Sequence, residues 1–411
     1  MTVPALLDVS TLYGVQLWDG IADRGAVDLA WSGDAISAIS PATAKGEEPR
    51  FAVIPGLVDT HVHLLGFAGG RDRVKGFDTF TWPLVTEREE QALHAAANAQ
   101  RAMRAGVTTL RDLGADTAQA SISRVFDEGI LDGPRVLAYG PVGMTAGHLD
   151  LFTPRAVKDR PRTADSPDAC RALVRQWARA GLTGIKIYTS GGVLSMGDAV
   201  TWRNHTRAEI AATIDEAHAL GMLVACHTHT AEGIGIALAE GVDSIEHGTG
   251  MTSEQAAEIA ERGVTVAPTL LINDMIARAE VPVSAEAQCI AGELLVHRDR
   301  ELRDAAARGV DFVLGTDANG YFVEFGDQWA ELRRMVEVLG HTPERALQAG
   351  TSRAASAVRS TAGVLDSGRP ADFVVIEGRP WLRGDHLDAS RIVAVVCRGR
   401  VVSGALPKED A

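Results

Sequence analysis

A chain of 411 residues, 46% hydrophobic and 23% charged, can bury one large core with a smaller attached unit and has the balance of an ordinary soluble globular protein. Its net charge of -14, with no basic stretch to offset it, argues against nucleic acid or an anionic membrane as partner. No apolar run approaches the roughly 20 residues of a membrane span, no signal peptide is evident, and Cys170, Cys226, Cys289 and Cys397 form no CxxC pair, so a reduced, cytoplasmic setting is expected.

Residues 1–50 alternate in short runs (Gly14 to Trp18, Ala26 to Trp31, Ala35 to Ile39) punctuated by Asp19-Gly20 and Gly33-Asp34, the texture of a small antiparallel β unit. Next comes Val53-Ile54-Pro55-Gly56-Leu57-Val58-Asp59-Thr60-His61-Val62-His63, an apolar, strand-like run ending in two histidines. Side chains in a strand alternate faces, so His61 and His63 point the same way, and two imidazoles at a strand exit make half of a divalent-metal site. From there strand and helix alternate with a regular beat. Helix-like 87–105, 117–128, 167–180, 206–220, 231–240, 252–262 and 285–308 each lead into an apolar run. Those runs begin at Gly106, Pro134, Gly184, Met222, Val242, Val264 and Val310. With the opening strand that makes eight units in residues 51–363, and the spacing predicts an α/β fold, a (β/α)8 TIM barrel with its site at the strands' C-terminal ends. A doubly wound sheet fits less well, since no Gly-rich phosphate loop follows the first strand. The C-terminal stretch, residues 364–411, again reads as β, and it is expected to pair with residues 1–50 as one small β-sandwich domain flanking the barrel.

The strand exits carry His61 and His63, Lys186, His227 and His229, His247, and Asp317. Lys186 lies between Ile185 and Ile187, which take the outer face, so its ammonium must point into the barrel. Burial there is costly and favours the neutral amine. A neutral amine can add carbon dioxide and become a carbamate, an anionic oxygen donor able to bridge two cations.

Several stretches carry a family resemblance: Pro55 to His63, Ala105 to Asp112, Ser244 to Gly248, Gly315 to Ala318, and Gly363 to Val375 with its Gly368-Arg369-Pro370-Ala371-Asp372 core. Together they resemble the amidohydrolase superfamily over nearly the whole chain. The sequence is most similar to the imidazolonepropionase-related, Xaa-Pro-dipeptidase-like group, which includes amide-cleaving carboxypeptidases and ochratoxin-type amidases. The resemblance implies a binuclear zinc site: His61, His63 and Asp317 for one ion, His227 and His247 for the other, and carbamylated Lys186 bridging both. Parity cannot separate His227 from His229. His227 is taken because it directly follows the apolar strand and the family's ligand falls there, which leaves His229 nearer the substrate. His148, in a loop where the group often has Gly-Gly-His-Gly, and Tyr188 are the further substrate-side candidates; Ala146 and Leu149 depart from that loop pattern.

The implied reaction is hydrolysis of a C–N amide bond, with Asp317 as proton shuttle and catalytic residue. Phe67, Phe77, Phe80, Trp82, Trp202, Tyr321, Phe322 and Phe325 lie in loops expected to shape the pocket. They point to a small-molecule amide or peptide substrate, an N-acyl amino acid or dipeptide with an apolar or aromatic part. Aryl amides, ureas or carbamates are the alternative substrates; a mononuclear deaminase or cyclic-imide hydrolase is the alternative chemistry, and a non-catalytic binding barrel has no feature in its favour. A homo-oligomer is compatible with the sequence but not dictated by it.

Overall fold

The computed structural model describes residues 9–43, 49–70, 81–158 and 160–407. The first strands are β1 (Val9–Trp18), β2 (Asp23–Ser32), β3 (Ala35–Pro41) and β4 (Phe51–Pro55). Eight parallel strands follow: β5 (Leu57–Val62), β6 (Val107–Asp112), β7 (Arg135–Pro141), β8 (Gly184–Tyr188), β9 (Leu223–Thr228), β10 (Ser244–His247), β11 (Thr265–Ala267) and β12 (Asp311–Phe312). The last are β13 (Phe373–Glu377), β14 (Ile392–Cys397) and β15 (Arg400–Gly404). Both ends of the chain build one seven-stranded mixed sheet, in the order β15-β14-β13-β4-β1-β2-β3. The sheet folds over itself: Trp31 of β2 packs edge-on against Phe373 of β13 at 5.1 Å, although two strands lie between them in the ladder. Two facing layers therefore arise from one continuous sheet around a core that includes Leu17, Leu29, Val53, Val375 and Val396.

The second sheet is the barrel, in sequence order from β5 to β12. Closure between its ends uses Thr60 N–H to Leu314 C=O (2.9 Å), His63 N–H to Ala318 C=O (2.8 Å) and Asp317 N–H to His61 C=O (2.7 Å). Helices α1 (Trp82–Val85) and α2 (Arg88–Arg104) precede β6. Thereafter α3 (Thr117–Asp127), α4 (Pro167–Ala180), α5 (Arg207–Ala219), α6 (Ala231–Glu240) and α7 (Ser253–Arg262) each precede the next strand. α8 (Leu270–Arg278) and α9 (Ala285–Ala307) separate β11 from β12, and α10 (Gln328–Leu339), α11 (Pro343–Ala349) and α12 (Ser352–Ala357) follow it.

Local sequence explains these helices. In α4, Ser166 caps the N-terminus by accepting from Ala169 N–H, and Pro167 occupies a position whose N–H would be unpaired anyway. The helix buries Cys170, Leu173, Val174 and Trp177, one stripe at helical spacing, against the barrel.

Three features depart from the sequence reading. The run from Val53 to His63 is two strands in different sheets, divided at Gly56. A Cβ there would lie 2.3 Å from the Thr108 side chain, so the chain passes from sheet to barrel where only glycine fits. The eighth barrel strand pairs regularly only over Asp311–Phe312, because the chain beyond it swings inward and Asp317 has φ 56°. α8, a helix the sequence reading did not anticipate, lies between the seventh and eighth strands. None of the helices among the described residues is long and apolar enough to cross a membrane.

Candidate active site

The C-terminal ends of the barrel strands open onto a cavity of about 330 Å³. All nine residues singled out from sequence line it: His61, His63, His148, Lys186, Tyr188, His227, His229, His247 and Asp317. Strand alternation does most of this. His61, Lys186 and His227 occupy inward positions, and the irregular exit of the eighth strand delivers Asp317. His247, Thr269 and Asp317, near the ends of three consecutive strands, all have positive φ (68°, 46° and 56°). Positive φ is costly in non-glycine residues, and three such residues stand together at the strand ends that surround the cavity.

The donor atoms converge in two overlapping groups. Ligand atoms of His61, His247 and Asp317 lie within 4.8 Å of one another, and so do those of His227, His229 and His247. Asp317 Oδ1 stands 3.5 Å from His61 Nε2 and 3.1 Å from His63 Nε2. The second nitrogen of several rings is held from outside the cavity. His61 Nδ1 is 2.8 Å from Glu246 Oε2, His247 Nδ1 2.7 Å from Thr269 Oγ1, and His227 Nε2 3.2 Å from Gly191 C=O. Such partners orient a ring and leave its other nitrogen free to bind a cation, as metal-binding histidines require. His61 Nε2, His247 Nε2 and His227 Nδ1 are thereby the free atoms, and the donor set of neutral imidazoles and a carboxylate fits divalent zinc or a similar ion. His229 is similarly held, Nδ1 to Thr249 Oγ1 at 2.7 Å, and its ring stacks on His247 at 4.6 Å. The sequence reading set His229 apart from the ligands; the fold brings it into their cluster.

Electrostatics prepares these groups for a cation. Burial lowers His61 to about 4 and His229 to about 3, and drives His227 and His247 well below the usual imidazole value, so all four are neutral near neutral pH. Burial raises Asp317, but the adjacent His61 and His63 more than offset it, and its carboxylate stays ionised. Lys186, 2% exposed, is lowered by burial to about 8 against the pull of Glu246 and Asp317. Roughly a tenth of its amine is then uncharged at pH 7, far more than for a free lysine.

His148 is fixed by the loop after β8. Its Nδ1 lies 2.8 Å from Ser195 Oγ and 3.2 Å from Asp198 Oδ2, and its ring stacks on His227 at 4.3 Å. A Cβ on Gly192 would be 1.9 Å from the His148 ring, so Gly191-Gly192 makes room for that ring and supplies the carbonyl that holds His227. Tyr188 is buried, and Lys186 Nζ sits 5.8 Å from its ring centre.

Several supporting residues escaped the sequence reading. Arg111, buried beneath the site, donates to Glu246 Oε1 (2.7 Å) and Ser244 Oγ (3.0 Å). Burial raises Glu246, but Arg111 and His61 overcome this and hold its carboxyl at about 2. The sign was available: Arg111, like Lys186, is a cation within a fully buried barrel strand. Asn98 donates to the carbonyls of Leu64 and Gly66 and so anchors the loop beyond His63. Gly315 leaves room for neighbours, not for substrate, since a Cβ there would be 2.7 Å from Ala267 and 3.0 Å from His61. The cavity walls are mainly aliphatic, with Leu65, Leu149, Val193, Leu194, Ile272 and Ile276, and among the described residues Phe152 is the one phenylalanine in the lining. Phe67, Trp82, Trp202, Tyr321, Phe322 and Phe325 are not in the lining; Trp202 is 52% exposed at the surface. Phe77 and Phe80 lie outside the described residues.

Comparison with known proteins agrees with this geometry. Residues 52–404 match the model of the Amidohydrolase family. Ochratoxinase of Aspergillus niger is 28% identical over 350 residues, 80% of this chain and 70% of that protein. Among solved structures, a Xaa-Pro dipeptidase with methionine bound in its active site superposes with a TM-score of 0.84 at 28% identity, covering 96% of this chain and 99% of that one. A prolidase complexed with N-methylphosphonate-L-proline gives 0.86 at 26% identity over 97% and 100%. The chain belongs to the amidohydrolase family, a metal-dependent hydrolase related to ochratoxinase and to Xaa-Pro dipeptidases.

Proposed function

We propose that this protein cleaves the amide bond of an N-acyl amino acid or dipeptide with an apolar or aromatic part, using two zinc ions. The observation that carries the reading is the convergence of His61, His63, His227, His247, Asp317 and the buried amine of Lys186 on one largely aliphatic cavity. Six donors are more than one tetrahedral zinc can use. His61, His63 and Asp317 would hold one ion, and His227 and His247 the other. Lys186, as the carbamate formed with carbon dioxide, would join both. When bound, two such cations lower the pKa of a water and polarise the scissile carbonyl.

The chain's own residues then divide the work. Asp317, ionised and hydrogen-bonded to His63, accepts the proton of the attacking water and delivers it to the leaving nitrogen, as general base and then general acid. His148, with Nδ1 occupied by Ser195 and Asp198, presents Nε2 to the substrate carbonyl. Tyr188 and His229, the latter two residues beyond His227 and just past the end of β9, contact the substrate. The aliphatic walls exclude water and take up the apolar part. Dipeptidase, prolidase and ochratoxinase relatives support an amide attached to an amino acid.

The test is a panel of N-acyl amino acids, dipeptides and aryl amides offered to the zinc-loaded protein. The expected result is a new carboxylate and a new amine in equal amounts from an amino-acid amide. Ammonia released from a ring amine, with no amide cleaved, would overturn the reading.

A further inference from the structure

One buried polar group in the cavity serves neither the metal donors nor the fold. Asn273, on α8, is 3% exposed and lines the cavity, and its Nδ2 has no hydrogen-bond partner among the described residues. A buried donor left unpaired is costly, and one that lines a cavity can recover that cost by pairing with a ligand. The helix that carries it is held firmly. The carboxyl oxygens of Glu331 accept from the N–H groups of Leu270 (2.7 Å) and Leu271 (2.9 Å) at its start. Arg298 ties the Leu270 carbonyl (3.1 Å) to Asp274 (2.7 Å). Thr269, just before the helix, is bound to His247. Asn273 is thus registered to the donor cluster by a rigid mount.

Position in the barrel says which half of a substrate it meets. α8 follows β11, the strand between those of His247 and Asp317. β11 lies four strands from β7, so Asn273 and His148 approach the cavity from opposite sides. If Asp317 delivers its proton to the leaving nitrogen, the amine half of the amide lies on the α8 side.

We propose that Asn273 is a specificity-determining residue, whose side-chain N–H donates to a carbonyl-type oxygen on the amine half of the substrate. The oxygen belongs either to a free carboxylate or to a neutral carboxamide. This rests on the amide-hydrolase reading for the orientation of the substrate, and the test separates the two.

The zinc-loaded full chain, wild type and Asn273→Leu, is given three benzamides that share the scissile bond: N-benzoyl-leucine, N-benzoyl-leucinamide and N-isopentylbenzamide. Calorimetry on the same proteins measures binding of the matching amines leucine, leucinamide and 3-methylbutylamine. Wild type is expected to favour an oxygen-bearing member in both series. In Asn273→Leu that preference falls roughly tenfold or more, with metal content and melting temperature unchanged. The member that loses most identifies the oxygen as carboxylate or carboxamide. Asn273→Ala serves if the leucine variant binds less metal. Preferences in wild type and variant that match in both series overturn the proposal, as does a wild type that shows no preference. Loss of the preference in binding, with no benzamide cleaved by wild type, upholds Asn273 as the recognition group and counts against the amide-hydrolase reading.

Discussion

Glu246 governs the orientation of His61. Its Oε2 holds His61 Nδ1 and its Oε1 is held by Arg111 and Ser244, all buried, so the imidazole presents Nε2 to Asp317. Replacing Glu246 with Gln keeps the shape and removes the charge that makes His61 a strong donor. Metal affinity should fall roughly tenfold to a hundredfold, read by competition with a chromogenic chelator; unchanged affinity would show that the contact is only packing. His227 and His229 offer a sharper contrast. With His227 as ligand and His229 on the substrate side, His227→Asn should hold one ion fewer per chain. His229→Asn should keep its full complement and lose turnover. The reverse pattern would exchange their roles. His61, Lys186 and His227 were legible in the sequence because alternation decides which way they face. Glu246, Thr249, Thr269 and Ser195 were not, because each acquires its meaning from a ring on another element that only the folded barrel brings within 3 Å.

At the scale of elements, α8, like α1 and α10 to α12, is a helix that periodicity did not disclose. Its nine residues mix apolar side chains with Asn273 and Asp274, and its stability comes from outside, through Glu331 and Arg298. Burial pushes Glu331 up to about 8, against the pull of the Leu271 and Leu270 N–H groups and Arg298. In the unfolded chain the same carboxyl ionises near its usual 4.5. Between those values the folded protein binds the extra proton. The contribution to stability is therefore complete below about 4.5 and is lost as pH rises towards 8. One such proton gives a slope of at most about 1.4 kcal/mol per pH unit. Glu331→Gln should be the less stable protein at pH 6, because its amide NH2 meets a backbone N–H where the carboxyl presents an oxygen. It should also lose less stability than wild type between pH 6 and 8, measured by urea denaturation. Parallel curves for the two proteins would show that Glu331 does not titrate in this range. The final barrel strand is a related case. Its regular pairing covers only Asp311–Phe312, and beyond it single backbone bonds, such as Thr60 N–H to Leu314 C=O and Asp317 N–H to His61 C=O, carry the chain to the site.

For the molecule as a whole, the eightfold beat and the matching β texture of both ends made the architecture readable. The point where one sheet hands over to the other was hidden in a single apolar run and is visible only through the contact of Gly56 with Thr108. The account's central claim is that the mouth of this barrel holds two divalent ions that act together. It rests on two donor groups that share His247 and on a buried lysine whose pKa is lowered by burial. The most direct test is to strip the full chain of metal, return zinc in measured steps, and follow bound metal by elemental analysis alongside amide cleavage. Activity should be near zero in the stripped protein and reach its plateau at two ions per chain. Full activity at one ion per chain, with no gain from a second, would contradict the account.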